Sequence, residues 1–222
     1  MKKLVLSILF LLGLVSNSYA TGSVGFTISN ADVNSSVTDD VDSNGTTDTT
    51  KSLSNDVTFA SIFFEKALND NMSVGIDFIP FEAEFESRST TQSSLKATAD
   101  GAATSGTNKG TADVSKHLTL YVQPTLKELD NGSKLFATLG YVRADVESLV
   151  QSVSSTDKTV EQTLDGFKFG VGMKRDIGAN GFFKIELNRT DYDDISATTS
   201  NSTKVTADID ATVLSLSVGR SF

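Results

Sequence analysis

The last nine residues, Leu214-Ser-Leu216-Ser-Val218-Gly-Arg-Ser-Phe222, alternate large apolar with small side chains and close on an aromatic ring. Successive side chains of a β-strand point to opposite faces. Leu214, Leu216 and Val218 therefore share one face, and Val213, Ser215, Ser217 and Gly219 the other. The first face suits hydrocarbon; the second suits a narrow interior. A bilayer admits only helices and closed barrels, because every backbone polar group must be satisfied within the protein. If the apolar face meets lipid, the rest of the chain should read with period two.

Most of it does. Val24, Phe26 and Ile28 alternate with Gly25, Thr27 and Ser29; Leu118, Leu120, Val122, Pro124 and Leu126 with His117, Thr119, Tyr121, Gln123 and Thr125. Phe167, Phe169, Val171 and Met173 alternate with Gly166, Lys168, Gly170, Gly172 and Lys174, and Phe183, Ile185 and Leu187 with Lys184, Glu186 and Asn188. Met72, Val74, Ile76 and Phe78 begin a further strand whose phase changes near Pro80, where a bulge is expected, since proline cannot donate to the ladder. Beyond it, Phe81, Ala83 and Phe85 oppose Glu82, Glu84 and Glu86. A second phase change is expected between Leu135/Ala137/Leu139 and Val142/Ala144/Val146, both sets taken as lipid-facing. Thr58–Leu68 is aromatic on both faces and its parity stays open. A soluble β-sandwich would also alternate, but it does not account for the glycine-rich polar faces or for four long polar tracts.

Those tracts, about 30–56, 87–115, 148–161 and 193–208, are rich in Ser, Thr, Asn and Asp, and Ser93–Thr107 has a composition that buries no core. The intervening links, Leu68–Asn71, Glu128–Ser133 and Asp176–Gly181, carry Asn and Gly, which accept positive φ and favour tight hairpins. Counting gives eight strands, four long loops and three short turns. That is the asymmetry of a transmembrane up-and-down β-barrel with short periplasmic turns and long external loops.

Lys2, Lys3, the apolar run Leu4–Val15 and Ser18-Tyr19-Ala20 read as a signal peptide over residues 1–20, leaving the barrel in 21–222. The run is too short for a comfortable spanning helix. Cysteine is absent, which excludes disulfides, thiolate metal sites and cysteine nucleophiles. The formal net charge of −9 leaves no basic face for nucleic acid.

Gly166–Lys174, the Asn180-Gly181 turn and Phe183–Tyr192 resemble the last hairpin of small outer-membrane barrels of the OmpA transmembrane-domain and opacity types, and Leu135–Tyr141 resembles their fifth strand. The likeness extends over the mature chain in layout and over the C-terminal half in local sequence. It implies an eight-stranded antiparallel barrel in the bacterial outer membrane. Expected partners are outer-membrane lipid, lipopolysaccharide, the barrel assembly machinery and external host or phage surfaces. It also implies that Phe222 is the residue read at insertion. The sequence stops at the final barrel strand, so the periplasmic peptidoglycan-binding domain of longer relatives is not expected. The family includes adhesins and structural proteins, so the expected role is structural or surface recognition through the loops. A porin-like channel with a polar lumen is the alternative.

The inward stripe Glu82, Glu84 and Glu86 requires cations, because an unpaired buried charge is costly. Arg143, Lys168, Lys174 and Lys184 have inward parity, as does Glu186. A salt-bridged, filled lumen is the expectation; a narrow ion path is the alternative. His117-Leu-Thr119 is similar to the His-x-Ser arrangement of outer-membrane lipid A deacylases, with threonine in place of serine. No carboxylate is evidently placed to orient the histidine, so no enzymatic activity is expected, and His117 is read as a polar residue near the external rim. Asp40, Asp42, Asn44 and Asp48 with Gly45 match the front half of a calcium loop. Lys51 stands where the bidentate glutamate would be, so calcium is the lesser expectation and a solvated loop the greater.

Overall fold

The computed structural model describes residues 22–40, 47, 49–80, 83–92, 106–152, 155–198 and 204–222. These form ten strands: β1 Gly22–Asp40, β2 Thr49–Asn69, β3 Met72–Phe78, β4 Ala83–Gln92, β5 Gly106–Glu128, β6 Ser133–Ser152, β7 Ser155–Ile177, β8 Gly181–Tyr192, β9 Ile195–Thr198 and β10 Lys204–Ser221. Both β3 and β4 pair with β5, and both β8 and β9 pair with β10, so each couple is one interrupted stave. Pairing of β1 with β10, from Ser23 opposite Ser221 to Asp40 opposite Lys204, closes the sheet. The result is the expected eight-staved antiparallel barrel.

Outward side chains form one apolar band. On β7 it runs from Phe167 through Phe169 and Val171 to Ile177, and on β10 it comprises Leu214, Leu216 and Val218, all exposed. The band ends in a polar collar. There Arg143 lies 3.7 Å from Asp165, and Arg189 bridges Asp191 at 2.8 Å and Asp210 at 3.3 Å. The 23 residues of β7 rise about 3.3 Å each at a tilt of about 40°, or about 58 Å along the axis. That is about twice the height of the apolar face of an outer-membrane barrel, about 25 Å.

The polar tracts are accordingly in large part strand rather than loop. β1 and β2 continue to Asp40 and from Thr49, and β6 and β7 to Ser152 and from Ser155. Their β-branched content favours extended backbone, and antiparallel pairing satisfies it. The Ser93–Thr107 segment lies outside the described residues as far as 105, as do residues 1–20, read above as a signal peptide.

The short turns sit at the opposite end, as expected. Gly132 and Gly178 adopt φ of +78° and +62°, which side-chain-bearing residues resist. Asn69 and Asn131 accept hydrogen bonds from the backbone N–H two residues on, at 2.9 and 3.0 Å.

Two parity readings change. On β6 there is no phase shift: Leu139, Tyr141 and Arg143 continue outward, while Val142, Ala144 and Val146 point inward and are buried. Toward the long-hairpin end the interior is also apolar elsewhere, with Ala31, Val33, Val57, Ala211 and Val213 forming a buried cluster. Near Pro80 the strand is interrupted rather than bulged, β3 ending at Phe78 and β4 starting at Ala83. The open parity of β2 resolves with Phe63 and Glu65 inward, Ile62 and Phe64 outward.

Candidate functional site

Buried polar and charged side chains converge in the lumen. Its turn end is closed by an aromatic cage. Phe63, Tyr121, Phe136 and Phe182 all point inward and are buried. Each stands directly opposite a glycine on the neighbouring strand: Gly25, Gly75, Gly172 and Gly219 respectively. A Cβ on any of the four glycines would fall within 2.4 Å of its facing ring, so the rings lie flat on bare backbone.

The Lys184 ammonium sits among these rings, 4.3 Å from the centroid of Phe63 and 5.9–6.0 Å from those of Phe136, Tyr121 and Phe182. It is ion-paired with Glu65, and both side chains are only 4% exposed. The Tyr121 hydroxyl donates to the same carboxylate at 2.9 Å. Because β10 and β1 lie between β8 and β2, this pair spans the bore rather than the wall.

A second tier follows. Lys168 is 3.3 Å from Glu186, and Gln123 donates to Thr138 at 3.0 Å and to Glu186 at 3.3 Å. Ser61 donates to Asp77 at 2.8 Å. Thr27 and Ser29 hydrogen-bond Ser217 and Ser215 across the closing seam, at 2.9 and 2.8 Å. A cavity of about 80 Å³ runs along the bore, lined by Phe63 and Lys184 of the cage, Asp77 and Glu186 of the second tier, His117, and Val33 of the apolar cluster.

Of the residues read as a lumen charge network, Lys168 and Glu186 meet each other, while Lys174 lies 4.0 Å over the Phe182 ring near the turn-end mouth. Arg143 is not in the lumen. It is half-exposed on the outer collar beside Asp165, because β6 keeps one parity throughout. The side chains of Glu82, Glu84 and Glu86 lie outside the described residues. The backbone register sets Glu84 opposite Asp113 and Glu86 opposite Ala112, with a shift between them.

Glu65 and Asp77 went unread. Glu65 is the one acid in the apolar run Val57–Leu68, and Asp77 has the inward parity implied by Ile76 and Phe78. Either feature could have flagged them.

His117 is inside the lumen rather than at the rim. It keeps the inward parity of Thr119 and Tyr121, and a bulge adjoins it: Lys116, at φ 51°, lies where the β5–β6 register shifts between Ser115 and Leu118. Its Nε2 lies 3.1 Å from the Tyr192 hydroxyl, so its partner is a tyrosine and not Thr119. Asp42, Asn44 and Asp48 of the calcium-loop pattern lie outside the described residues, as does the side chain of Asp40. Among the described residues no group of three or more acidic or histidine side chains is placed to hold a metal ion.

A family model described as the outer membrane protein beta-barrel domain matches residues 6–222. Among solved structures, the chain is similar to the outer membrane protein OprG from Pseudomonas aeruginosa, at 16% identity and TM-score 0.60, covering 91% of this chain and 96% of that one. It is also similar to the outer membrane protease OmpT from Escherichia coli, at 7% identity and TM-score 0.53, covering 91% and 97%. A third likeness is to Ail, the attachment invasion locus protein of Yersinia pestis, at 13% identity and TM-score 0.41, covering 90% and 99%. At such identities the likeness is one of fold. No curated protein matches the sequence.

Proposed function

Because the chain belongs to the outer membrane protein β-barrel domain family, we propose that it is a surface barrel of the bacterial outer membrane with a closed lumen, presenting its long hairpins outside the cell to external partners. The observation that carries this reading is the pair Glu65–Lys184, set across the bore inside four rings. A path for solutes would have to break it. Buried ion pairs with further hydrogen bonds are held firmly, since separating them leaves charges unpaired in a low dielectric. Lys168–Glu186 closes the next tier.

The height of the wall above the apolar band supports a surface role, because it carries the hairpin tips clear of the lipid. Exposed loops on a rigid scaffold are where binding is usually found. The collar of Arg143, Arg189 and neighbouring aspartates suits lipopolysaccharide head groups and their bridging cations. No catalytic role is proposed: the engagement of His117 by Tyr192, with Thr119 buried at 2% exposure, supports a packing role for both.

Planar-bilayer recording of the refolded protein is the test. No steady conductance is expected. A stable open level that survives deletion of the hairpin tips would favour the second reading, a narrow porin-like channel, to which the cavity along the bore lends support. Protease added to intact cells is expected to cut near Lys51, Lys96 or Lys109; cleavage confined to the short turns, after permeabilisation, would reverse the orientation.

A further inference from the structure

Two Asn-Gly pairs lie in the short turns, Asn131-Gly132 and Asn180-Gly181; Asn44-Gly45 lies outside the described residues. Such a pair carries a latent reaction. The main-chain nitrogen of the glycine can attack the side-chain carbon of the asparagine, because no Cβ on the glycine shields it. How readily it does so depends on how firmly the two groups are held, and here the two turns differ.

In Glu128–Ser133 both groups are engaged. Asn131 Oδ1 accepts the Ser133 N–H at 3.0 Å, and the Gly132 N–H donates to the Leu129 carbonyl at 2.9 Å. The first bond fixes the side chain, and the second holds the proton that the nitrogen must lose before it attacks. In Asp176–Gly181 the Asn180 side chain is exposed, and among the described residues no hydrogen bond holds it. Its surroundings are open: a Cβ on Gly178, at φ +62°, would meet nothing within 4 Å. The side chain is free to swing onto Gly181. The Asn180 main-chain carbonyl, by contrast, accepts the Ser221 N–H at 2.8 Å and so ties this turn to the end of β10.

We propose that Asn180 is a self-modification site, converted without an enzyme to aspartate and isoaspartate, and that its conversion loosens the end of β10. The Gly181 nitrogen gives its proton to hydroxide and bonds to Asn180 Cγ. The Cγ–Nδ2 bond breaks, ammonia leaves, and a cyclic imide remains. Solvent water then opens the imide. Cleavage between the nitrogen and Cγ yields aspartate; cleavage between the nitrogen and the main-chain carbon yields isoaspartate, whose backbone runs through Cγ and is longer by a carbon. In isoaspartate the carbonyl that accepted the Ser221 N–H has become a free carboxylate outside the main chain. Either product adds a negative charge to a turn that already holds Asp176.

The test is to age the refolded full-length protein at mildly alkaline pH and follow both turns by peptide mass spectrometry that separates aspartate from isoaspartate. Conversion several-fold faster at Asn180 than at Asn131 is expected in the folded barrel, with near-equal rates in protein unfolded in urea, where the two pairs are exposed alike. Equal rates in the folded barrel, or faster conversion at Asn131, would overturn the proposal. Hydrogen exchange at the Ser221 amide reads the consequence. It should quicken as the wild type converts and stay constant in Asn180→Gln, which keeps the main-chain carbonyl but closes an imide far more slowly. Exchange that quickens equally in Asn180→Gln, or stays constant in converted wild type, would also sink it.

Discussion

The pair Glu65–Lys184 is the sharpest place to test the account of the lumen. Lys184→Met keeps an unbranched apolar chain among the rings, where a thioether packs well, but removes the ammonium. Glu65 then keeps only the Tyr121 hydroxyl, at 2.9 Å. Breaking a buried pair from one side costs about 3–5 kcal/mol. With one donor retained, the lower end, about 3 kcal/mol, is expected. Glu65→Leu is worse. It leaves Lys184 with the ring faces and Gln123 Oε1 at 3.4 Å, and it orphans the Tyr121 hydroxyl, so about 5 kcal/mol is expected. The double variant leaves no charge unpaired and should cost only about 2 kcal/mol, the share of the hydroxyl. It is thus expected to be more stable than either single variant. The chain has no tryptophan, so urea unfolding in liposomes is best followed by far-UV circular dichroism and by the gel-mobility shift of the folded barrel. Costs that simply add in the double variant would refute the reasoning, since additivity means the two side chains do not interact.

Three further outcomes are expected. Phe169→Arg, in the apolar band, should destabilise the barrel in liposomes by about 2–4 kcal/mol, whereas Lys168→Gln, one residue away and facing the lumen, should act through Glu186 and depend little on lipid thickness; equal dependence on lipid would contradict the parity of β7. Gly25→Ala should cost well over the ordinary glycine–alanine difference, because its Cβ would meet Phe63 at 2.2 Å and the Val218 carbonyl at 2.5 Å, while Gly132→Ala, in open space at φ +78°, should cost only about 1 kcal/mol of backbone strain; reversal of that order in urea titrations would remove the case for the cage. Deletion of Phe222 should reduce assembly in cells much more than refolding in detergent, and equal losses would assign it a purely structural role.

Parity was legible wherever one face held small or polar residues along its whole length, as in β1, β7, β8 and β10. It failed on β6 because reading valine as lipid-facing assumes a polar lumen throughout. Above the polar tier the interior is itself apolar, so Val142, Ala144 and Val146 turn inward and Arg143 turns out. Thr58–Leu68 could not be read alone, since Phe63 and Phe64 are equally aromatic. The deciding fact is which of them faces a glycine, and Gly25 lies opposite Phe63 across the β1–β2 ladder. That information belongs to register, which a single strand's sequence does not contain. Lys168, Lys184 and Glu186 were visible as inward charges, but the glutamate that Lys184 meets sits 119 positions away, and only closure of the barrel brings the two together.

The β1–β10 seam has a consequence for how the molecule comes into being. It joins Ser23 to Ser221, so its contacts span nearly the whole sequence, and such contacts form late because the intervening chain must first be confined. Until β10 is in place, β1 and β8 each present a raw edge of unpaired backbone, ready to template pairing with another chain. Assembly is a race between the arrival of β10 and edge-to-edge association of unfinished sheets.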